Sequence, residues 1–432
     1  MQEFINLGHM VEVESESVVD RSGNIGEYFI PHHGVLQGSK KLRVVFNASV
    51  RCSNGQSLNN QLLTGPSLQS SIVNNLIRWR NVQFAYHADI AKMYRQIRMH
   101  PEDCKFQNVL WRFSSNEPIK VYQLNTVTYG IVPSAYHAIR CLRQLAIDES
   151  SNFSRNVLDL ILNNMYVDDA LFGADTIDEA IELSKEFSNL LTAGGFPLRK
   201  WSANSSELLS HIPKDWLEVD NTESQNLFKE QKLLGIRWNS ESDRLSFNIE
   251  ALKYQGTVTK RKVLSIIASL YDPLGLLSPV IIKGKIFMQI LWKETLGWDD
   301  ALSKSLLKKW NLFYRELLSV SEVRIPRWAG LSSHSRFEIH GFSDASQQAM
   351  CATIYFRILG ESSSEMNLIV AKTRVAPLKT QTIPRLELCA ALILCKLVFS
   401  LLESFEFSNI PLHLWSDSTV ALSWITSEPH LW

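Results

Sequence analysis

Apolar and polar positions divide this chain into three stretches of different rhythm. In the first, period-two or continuous apolar runs predict strands at Lys41–Phe46, Phe84–Ile90, Asn108–Phe113 and Lys120–Leu124. Helical spacing predicts helices over about 68–80, 134–147 and 156–164. A further helix is expected over 176–191, where Ile177, Ala180, Ile181, Leu183, Phe187, Leu190 and Leu191 form one stripe that stops at Gly194-Gly195. Between the last two helices an apolar lead-in (157–165) meets Asp168-Asp169 and an apolar run resumes. That pattern is a β-hairpin with acids at its tight turn, where Asp is better suited than Val or Leu. The second stretch shows hairpin signals at 233–238 and 245–249. It then turns mostly helical over 257–330, broken by Asp272-Pro273-Leu274-Gly275 and Ser278-Pro279. The third runs strand (from Arg336), strand (349–358), strand (368–373), long helix (384–404), strand (412–415) and a helix from Thr419. Residues 1–27, with Glu12, Glu14, Glu16 and Asp20, read as an irregular, loosely attached lead-in.

Composition changes this picture little. At 432 residues, 45% hydrophobic and 20% charged, the chain is an ordinary globular protein of two to four domains. Lys plus Arg and Asp plus Glu are equal at 44, so no global field advertises a polyanionic partner. Local imbalance says more. Residues 78–112 hold Arg78, Arg80, Lys92, Arg95, Arg98, Lys105 and Arg112 against three acids. Residues 251–293 hold Lys253, Lys260, Arg261, Lys262, Lys283, Lys285 and Lys293 against Asp272 alone. Each patch is either a solvated face or part of a groove that follows phosphates. The six cysteines lack Cys-x-x-Cys or zinc spacing and read as reduced thiols of an intracellular protein. No signal peptide is apparent, and the most apolar run, 388–402, is too short to span a bilayer.

Three acids stand out chemically: Asp89 at the end of one strand, and Asp168 and Asp169 at the hairpin. If these strands are neighbours, the carboxylates converge into a set of hard oxygen ligands suited to Mg²⁺. Two such ions about 4 Å apart serve in-line phosphoryl displacement. The plain alternative is an Asp-Asp turn. His32-His33 lacks partner ligands in the sequence and reads as packing or hydrogen bonding.

The segments YFIPHHGV (28–35), KLRVVFNAS (41–49), SLNNQLLTGP (57–66), ADIAKMYRQI (88–97), YVDD (166–169) and GFPLRKW (195–201) occur in one order. Together they resemble the polymerase region of a BEL/Pao-type long-terminal-repeat retrotransposon polyprotein. The resemblance implies an α+β/α/β multidomain fold: a right-hand polymerase (fingers, palm, thumb/connection) followed by an incomplete ribonuclease H-like domain. The implied boundaries are 1–27 lead-in, 28–215 fingers and palm, 216–332 primer-grip hairpin, thumb and connection, and 333–432 ribonuclease H-like domain.

The resemblance also assigns roles. Asp89, Asp168 and Asp169 match the catalytic metal-binding triad, with two Mg²⁺ ions and Mn²⁺ as a substitute. Lys41 and Arg43 match the strand gripping the triphosphate. Tyr94 matches the aromatic gate against a ribose 2′-hydroxyl, a core aromatic being the alternative. Tyr129 and Gly130 match the segment under the nascent base pair. Lys200 matches the lysine near the leaving pyrophosphate, with a surface lysine as the alternative, and Leu234-Gly235 matches the primer grip. Asp344, Glu387 and Asp417 match the first three metal-binding acids of ribonuclease H; the fourth falls beyond Trp432, so this domain is expected to be truncated and inactive. Asn47 stands where the family usually has Asp, and 131–135 departs from its small-residue order. Residues 220–330 lack Asp-Thr-Gly or Asp-Ser-Gly and read as thumb and connection rather than protease.

The expected activity is RNA-directed DNA polymerisation, on an RNA or DNA template with primer and deoxynucleoside triphosphates. No membrane partner is expected, and the location would be a cytoplasmic virus-like particle or the nucleus. The rival reading is a catalytically dead remnant that still binds nucleic acid.

Overall fold

A computed structural model describes residues 1–14, 28–37, 41–218, 230–249, 252–332, 335–360, 363–404 and 410–428. Two compact units emerge. The first comprises Met1–Ser70, Ala88–Ala170 and Lys185–Arg199; the second comprises Ser71–His87, Leu171–Ser184 and Lys200–Trp432.

The first unit holds the hairpin of strands His32–Gln37 and Lys41–Phe46, paired antiparallel from His32↔Phe46 to Gln37↔Lys41. It also holds a three-stranded sheet in which Lys120–Leu124 lies between Met10–Val13 and Asn108–Trp111. The lead-in expected to be irregular is therefore built into the fold over its first 14 residues. Gln2–Asn6 is helical, and Phe4 and Met10 are buried with Ile30, Phe46, Val109 and Tyr122 in one apolar cluster. Burial of these two side chains outweighs the acidic character that suggested a loose segment. Residues 15–27 of that lead-in lie outside the described residues.

A four-stranded sheet has the order Met165–Tyr166, Asp169–Ala174, Phe84–Ile90, Leu198–Ala203. Its acid-bearing ends, 88–90 and 165–170, are in the first unit.

The second unit contains two further sheets and the helices Lys260–Ser269, Ser278–Lys293 and Lys304–Leu318, which share a core around Trp310, Phe287 and Leu291. One sheet joins Glu230–Leu233, Ile236–Asn239, Arg244–Ser246 and Ile325–Pro326, all antiparallel. The other has the order Ser364–Val375, Ala349–Leu359, Arg336–Ala345, Leu412–Ser416. Its last pair is parallel and the others antiparallel, and the 22-residue helix Ile383–Ser404 packs on it. Parallel pairing requires a crossover, which this helix supplies.

The boundary expected between 332 and 333 is not where packing breaks. Leu76, Trp79 and Ala85 share one apolar cluster with Trp238, Ile354, Phe356, Ile393 and Leu394. Polar contacts tie the same elements together. Arg80, 2% exposed, donates to the carbonyls of Arg327 (3.0 Å), Leu368 (3.0 Å) and Ile369 (3.0 Å). Burial, then the like charge of Arg327, pushes its guanidinium down to about 10, which leaves it charged at neutral pH. Arg80 is thus a core residue and no part of a phosphate-tracking face. Lys260 in the second basic stretch is likewise buried, 4.3 Å from the Trp292 ring centroid. Its neighbour Arg261 is engaged by Asp299 at 2.7 and 2.9 Å.

Candidate active site

In the first unit the acids are brought together through the backbone. The Ile90 amide donates to the Asp168 carbonyl at 2.8 Å, so Asp89 lies beside the hairpin that carries Asp168 and Asp169. Tyr166 pairs with Asp169 and Met165 with Ala170, leaving the two-residue turn Val167-Asp168. Such turns require positive φ, and here Val167 adopts it at +57°. The expectation that an aspartate would take up the turn strain is therefore reversed. A β-branched residue in this region is strained, and the Gln69 side chain accepts from the Val167 amide at 3.1 Å and helps to hold it. Asp89, Asp168 and Asp169 are all half-buried.

Tyr94 follows in a 3₁₀ turn, Met93–Gln96, entered through Lys92 at φ +54°. Its hydroxyl is pushed above the ordinary range, first by burial and then by the charge of Asp168, which places the phenol close to the acidic hairpin. Glu3 of the N-terminal helix pairs with Lys92. The Arg95 guanidinium lies 4.0 Å above the Phe4 ring centroid. The first basic stretch is thus partly engaged by the chain's own N-terminus.

Arg43, Tyr129 and Gly130 also meet. The Arg43 guanidinium is 5.2 Å from the centre of the Tyr129 ring, whose hydroxyl donates to the Val44 carbonyl at 2.5 Å. Gly130 has φ +91°, and a Cβ there would fall 2.3 Å from the Phe46 carbonyl oxygen. Sequence reasoning missed Asn59. Its amide donates to Ser49 (2.8 Å) and to the Gly130 carbonyl (3.0 Å), and its oxygen accepts from the Val132 amide (2.9 Å). An Asn in the short helix Leu58–Gln61, a stretch that reads as a loop in the sequence, carries no mark of such a role. Asn47 accepts from the Ser49 amide at 3.1 Å, an Asx turn consistent with an anchoring role. Lys41 lies at the start of its strand.

In the second unit Lys200 is exposed on the strand Leu198–Ala203 at φ +53°. Leu234 and Gly235 form the two-residue turn of the 230–239 hairpin, both at positive φ (+45° and +92°), as a type I′ turn requires. Val167, Lys92, Lys200 and Leu234 are four of the five non-glycine residues with positive φ among the described residues, and all four fall in or beside the singled-out motifs. Backbone strain concentrates at functional sites.

The second unit also carries a carboxylate cluster. Asp344 near the end of its strand, Glu387 in the first turns of the long helix and Asp417 just past the strand 412–416 offer oxygens within 4.8 Å of one another. Glu387 is 4% exposed, and its Oε2 has no hydrogen-bond partner among the described residues. Burial raises its carboxyl above the ordinary range. The Ala345 amide opposes this, and the charges of Asp344 and Asp417 add to the rise. A buried acid with one unpartnered oxygen beside two other carboxylates is a poor structural element and fits a divalent cation. The Cys351 thiol, cross-strand from Asp344, is also raised by burial and by that charge.

Comparison with known proteins accords with this geometry. Residues 259–418 match the family model described as the Pao retrotransposon-like RNaseH-like domain, which takes in the three helices 260–318 as well as the sheet. No curated protein matches the chain. Among solved structures, it resembles the foamy viral protease-reverse transcriptase dRH in complex with ds DNA, with TM-score 0.60 and 13% identity, covering 99% of this chain and 63% of that one. It resembles the foamy viral protease-reverse transcriptase with RNA/DNA hybrid (TM-score 0.58, 12% identity, 98% and 48%). The complex with dsDNA is similar (TM-score 0.58, 13% identity, 99% and 75%). The chain thus spans under two thirds of the first two proteins, and at these identities the likeness is one of fold.

The class is a mixed α/β reverse-transcriptase fold with a ribonuclease H-like region toward the C-terminal side. The Pao-type resemblance suggested by the motifs is met by the family match over residues 259–418, and the likeness to the foamy viral proteins is one of fold. No helix among the described residues is long and apolar enough to cross a membrane.

Proposed function

We propose that the chain is an RNA-directed DNA polymerase acting on a primed RNA or DNA template with deoxynucleoside triphosphates. The observation that carries this reading is the 2.8 Å Ile90–Asp168 backbone bond, which sets Asp89 beside a strained hairpin bearing two more acids. Asp89, Asp168 and Asp169 would hold Mg²⁺, with Mn²⁺ as a substitute. Bound there, the metal would supply charge neutralisation for the attacking oxygen, the α-phosphate and the leaving pyrophosphate. The chain's own groups do the rest. Tyr94, half-buried beside Asp168, excludes a 2′-hydroxyl by ring volume. Arg43, above Tyr129, presents a fixed cation to the triphosphate, and Lys41, at the start of the same strand, is assigned to the same role by the resemblance alone. Lys200, as a proton donor to pyrophosphate, and Leu234-Gly235, as primer grip, are proposals resting on the resemblance. That the structural neighbours are complexes with ds DNA and an RNA/DNA hybrid supports a duplex as partner.

For the ribonuclease H-like cluster the reading stops at cation binding. The group comprises three carboxylates, and a second ion would need a further ligand to place it against a leaving oxygen.

Primer extension on an RNA template tests the main proposal. The parent should extend in Mg²⁺, and Asp168→Asn should abolish extension while template-primer affinity stays within about threefold, because affinity comes from phosphate contacts. Extension by the variant within tenfold of the parent would reject the assignment. Failure of the parent to extend, with duplex binding retained, would favour the remnant reading.

A further inference from the structure

The ribonuclease H-like sheet carries a second group of ligating side chains that none of the chemistry above uses. Glu338 and His340 lie two residues apart on the strand 336–345 and so share one of its faces. The parallel strand 412–416 places His413 directly opposite His340. The two imidazoles face each other at 4.9 Å between centroids and 26° between planes. His340 Nε2 is 3.0 Å from Glu338 Oε2, and one ligand atom from each of the three residues falls within 4.8 Å of the others. Glu338 and His340 side chains are only 20% and 13% exposed, whereas His413 opens to solvent.

We infer that Glu338, His340 and His413 form a binding site for a borderline divalent cation of the Zn²⁺ class, distinct from the carboxylate cluster. Two imidazoles and one carboxylate favour such an ion over Mg²⁺, which prefers all-oxygen ligands. In tetrahedral coordination with bonds near 2.0–2.1 Å, neighbouring ligand atoms stand about 3.3 Å apart. The Nε2–Oε2 separation already approaches that value, so a cation would replace the shared proton with little movement. Three protein ligands leave a fourth position open on the His413 side, where water can enter. Arg357, 3.2 Å from the same Glu338 oxygen, is the competing cation. It is 43% exposed, with a further long contact from its Nε to the Ser364 hydroxyl at 3.4 Å, and can turn outward or remain as an outer-shell partner of the bound carboxylate. Trp415 Nε1, 3.4 Å from His340 Nδ1, is a long contact on an exposed ring and yields easily.

The position suggests a purpose. His340 precedes Asp344 by four residues and His413 precedes Asp417 by four, each about 13 Å along its strand. Among the described residues the strand 412–416 is an edge strand held by five register pairs, yet it delivers Asp417 to the carboxylate cluster. A cation bridging His340 to His413 would staple the register on which that delivery depends. None of this requires the polymerase proposal to hold.

Calorimetric titration of the chelator-treated full chain with ZnCl₂, together with Co²⁺ absorption as a geometric probe, tests the inference. One tight site with a tetrahedral Co²⁺ spectrum is expected in the parent and in Asp344→Asn. It should weaken by about 100-fold or more in His340→Asn and in His413→Asn, beyond the loss usual for an outer-shell partner. Zn²⁺ should also slow hydrogen exchange over 412–416 in the parent but not in the histidine variants. The exposed His413 makes its variant decisive should His340→Asn fail to fold. No tight site in the parent, unchanged affinity in His413→Asn, or loss of the site in Asp344→Asn would each overturn the proposal.

Discussion

The guanidinium of Arg327 and the carboxylate of Asp243 form a two-pronged pair, Nε to Oδ1 at 2.7 Å and Nη2 to Oδ2 at 2.7 Å, around an arginine with no solvent exposure. Arg327 spends its remaining donors on the carbonyls of Trp79, Val82 and Gln83 at 2.6–2.8 Å. Asp243 in turn accepts from Trp238 (2.9 Å) and Asn204 (3.1 Å). Every charge and donor is met, which is the condition under which a buried pair is tolerated.

Removing one partner should therefore cost far more than removing both. Asp243→Ala and Arg327→Met are each expected to destabilise the chain by about 3–5 kcal/mol. The double variant should lose clearly less than the sum. Urea denaturation of the three variants measures this, and additive losses would contradict the pairing.

Strain at the acidic hairpin predicts a conflict between stability and activity. Val167→Gly relieves a β-branched residue of φ +57° and should raise stability by about 1 kcal/mol, while lowering primer extension by loosening the turn. Thermal melting and extension rates on the same preparation check both signs.

Gly130→Ala tests the opposite situation. The added methyl would lie 2.3 Å from the Phe46 carbonyl oxygen at φ +91°, and Asn59 pins the same loop. A loss of about 2 kcal/mol or more is expected, with weakened nucleotide binding. A variant as stable as the parent would mean that the close approach is absent in solution.

Glu387 gives a pH dependence. Its folded carboxyl is raised, so the folded state holds a proton that the unfolded state has already released. Stability of the chelated chain should fall as pH rises from the ordinary carboxylate range toward that raised value, and Mg²⁺ should restore it. Glu387→Gln should be more stable than the parent in chelator and indifferent to Mg²⁺ at this cluster. Melting temperatures across pH 4–7, with and without Mg²⁺, provide the check.

Much of the fold could be read from residue order. Apolar runs located Phe84–Ile90 and Lys120–Leu124 to the residue: the first is a nearly continuous buried strand and the second alternates between buried and more exposed positions. Arg80 could not be read this way: a basic residue at a helix C-terminus looks solvated, and its carbonyl partners lie nearly 250 or more positions away. The 1–14 segment was missed because Glu12 and Glu14 masked two anchoring side chains, Phe4 and Met10. The acid triad was legible from motif and hairpin pattern. The Glu338–His340–His413 group was not, since its histidines are 73 positions apart and only the parallel crossover unites them.

The apolar cluster that joins Trp79 and Leu76 to Ile354 and Leu394 has an evolutionary corollary. Elements that would serve two different chemistries draw on one cooperative reservoir of folding energy, so neither can drift alone. A substitution selected for its effect near Ala85 alters the footing of the Glu387 helix, and compensating changes should appear in pairs across positions more than 250 residues apart. Such a chain is hard to recombine by exchanging its C-terminal region with that of a distant relative: the graft would inherit a mismatched seam, not a finished module.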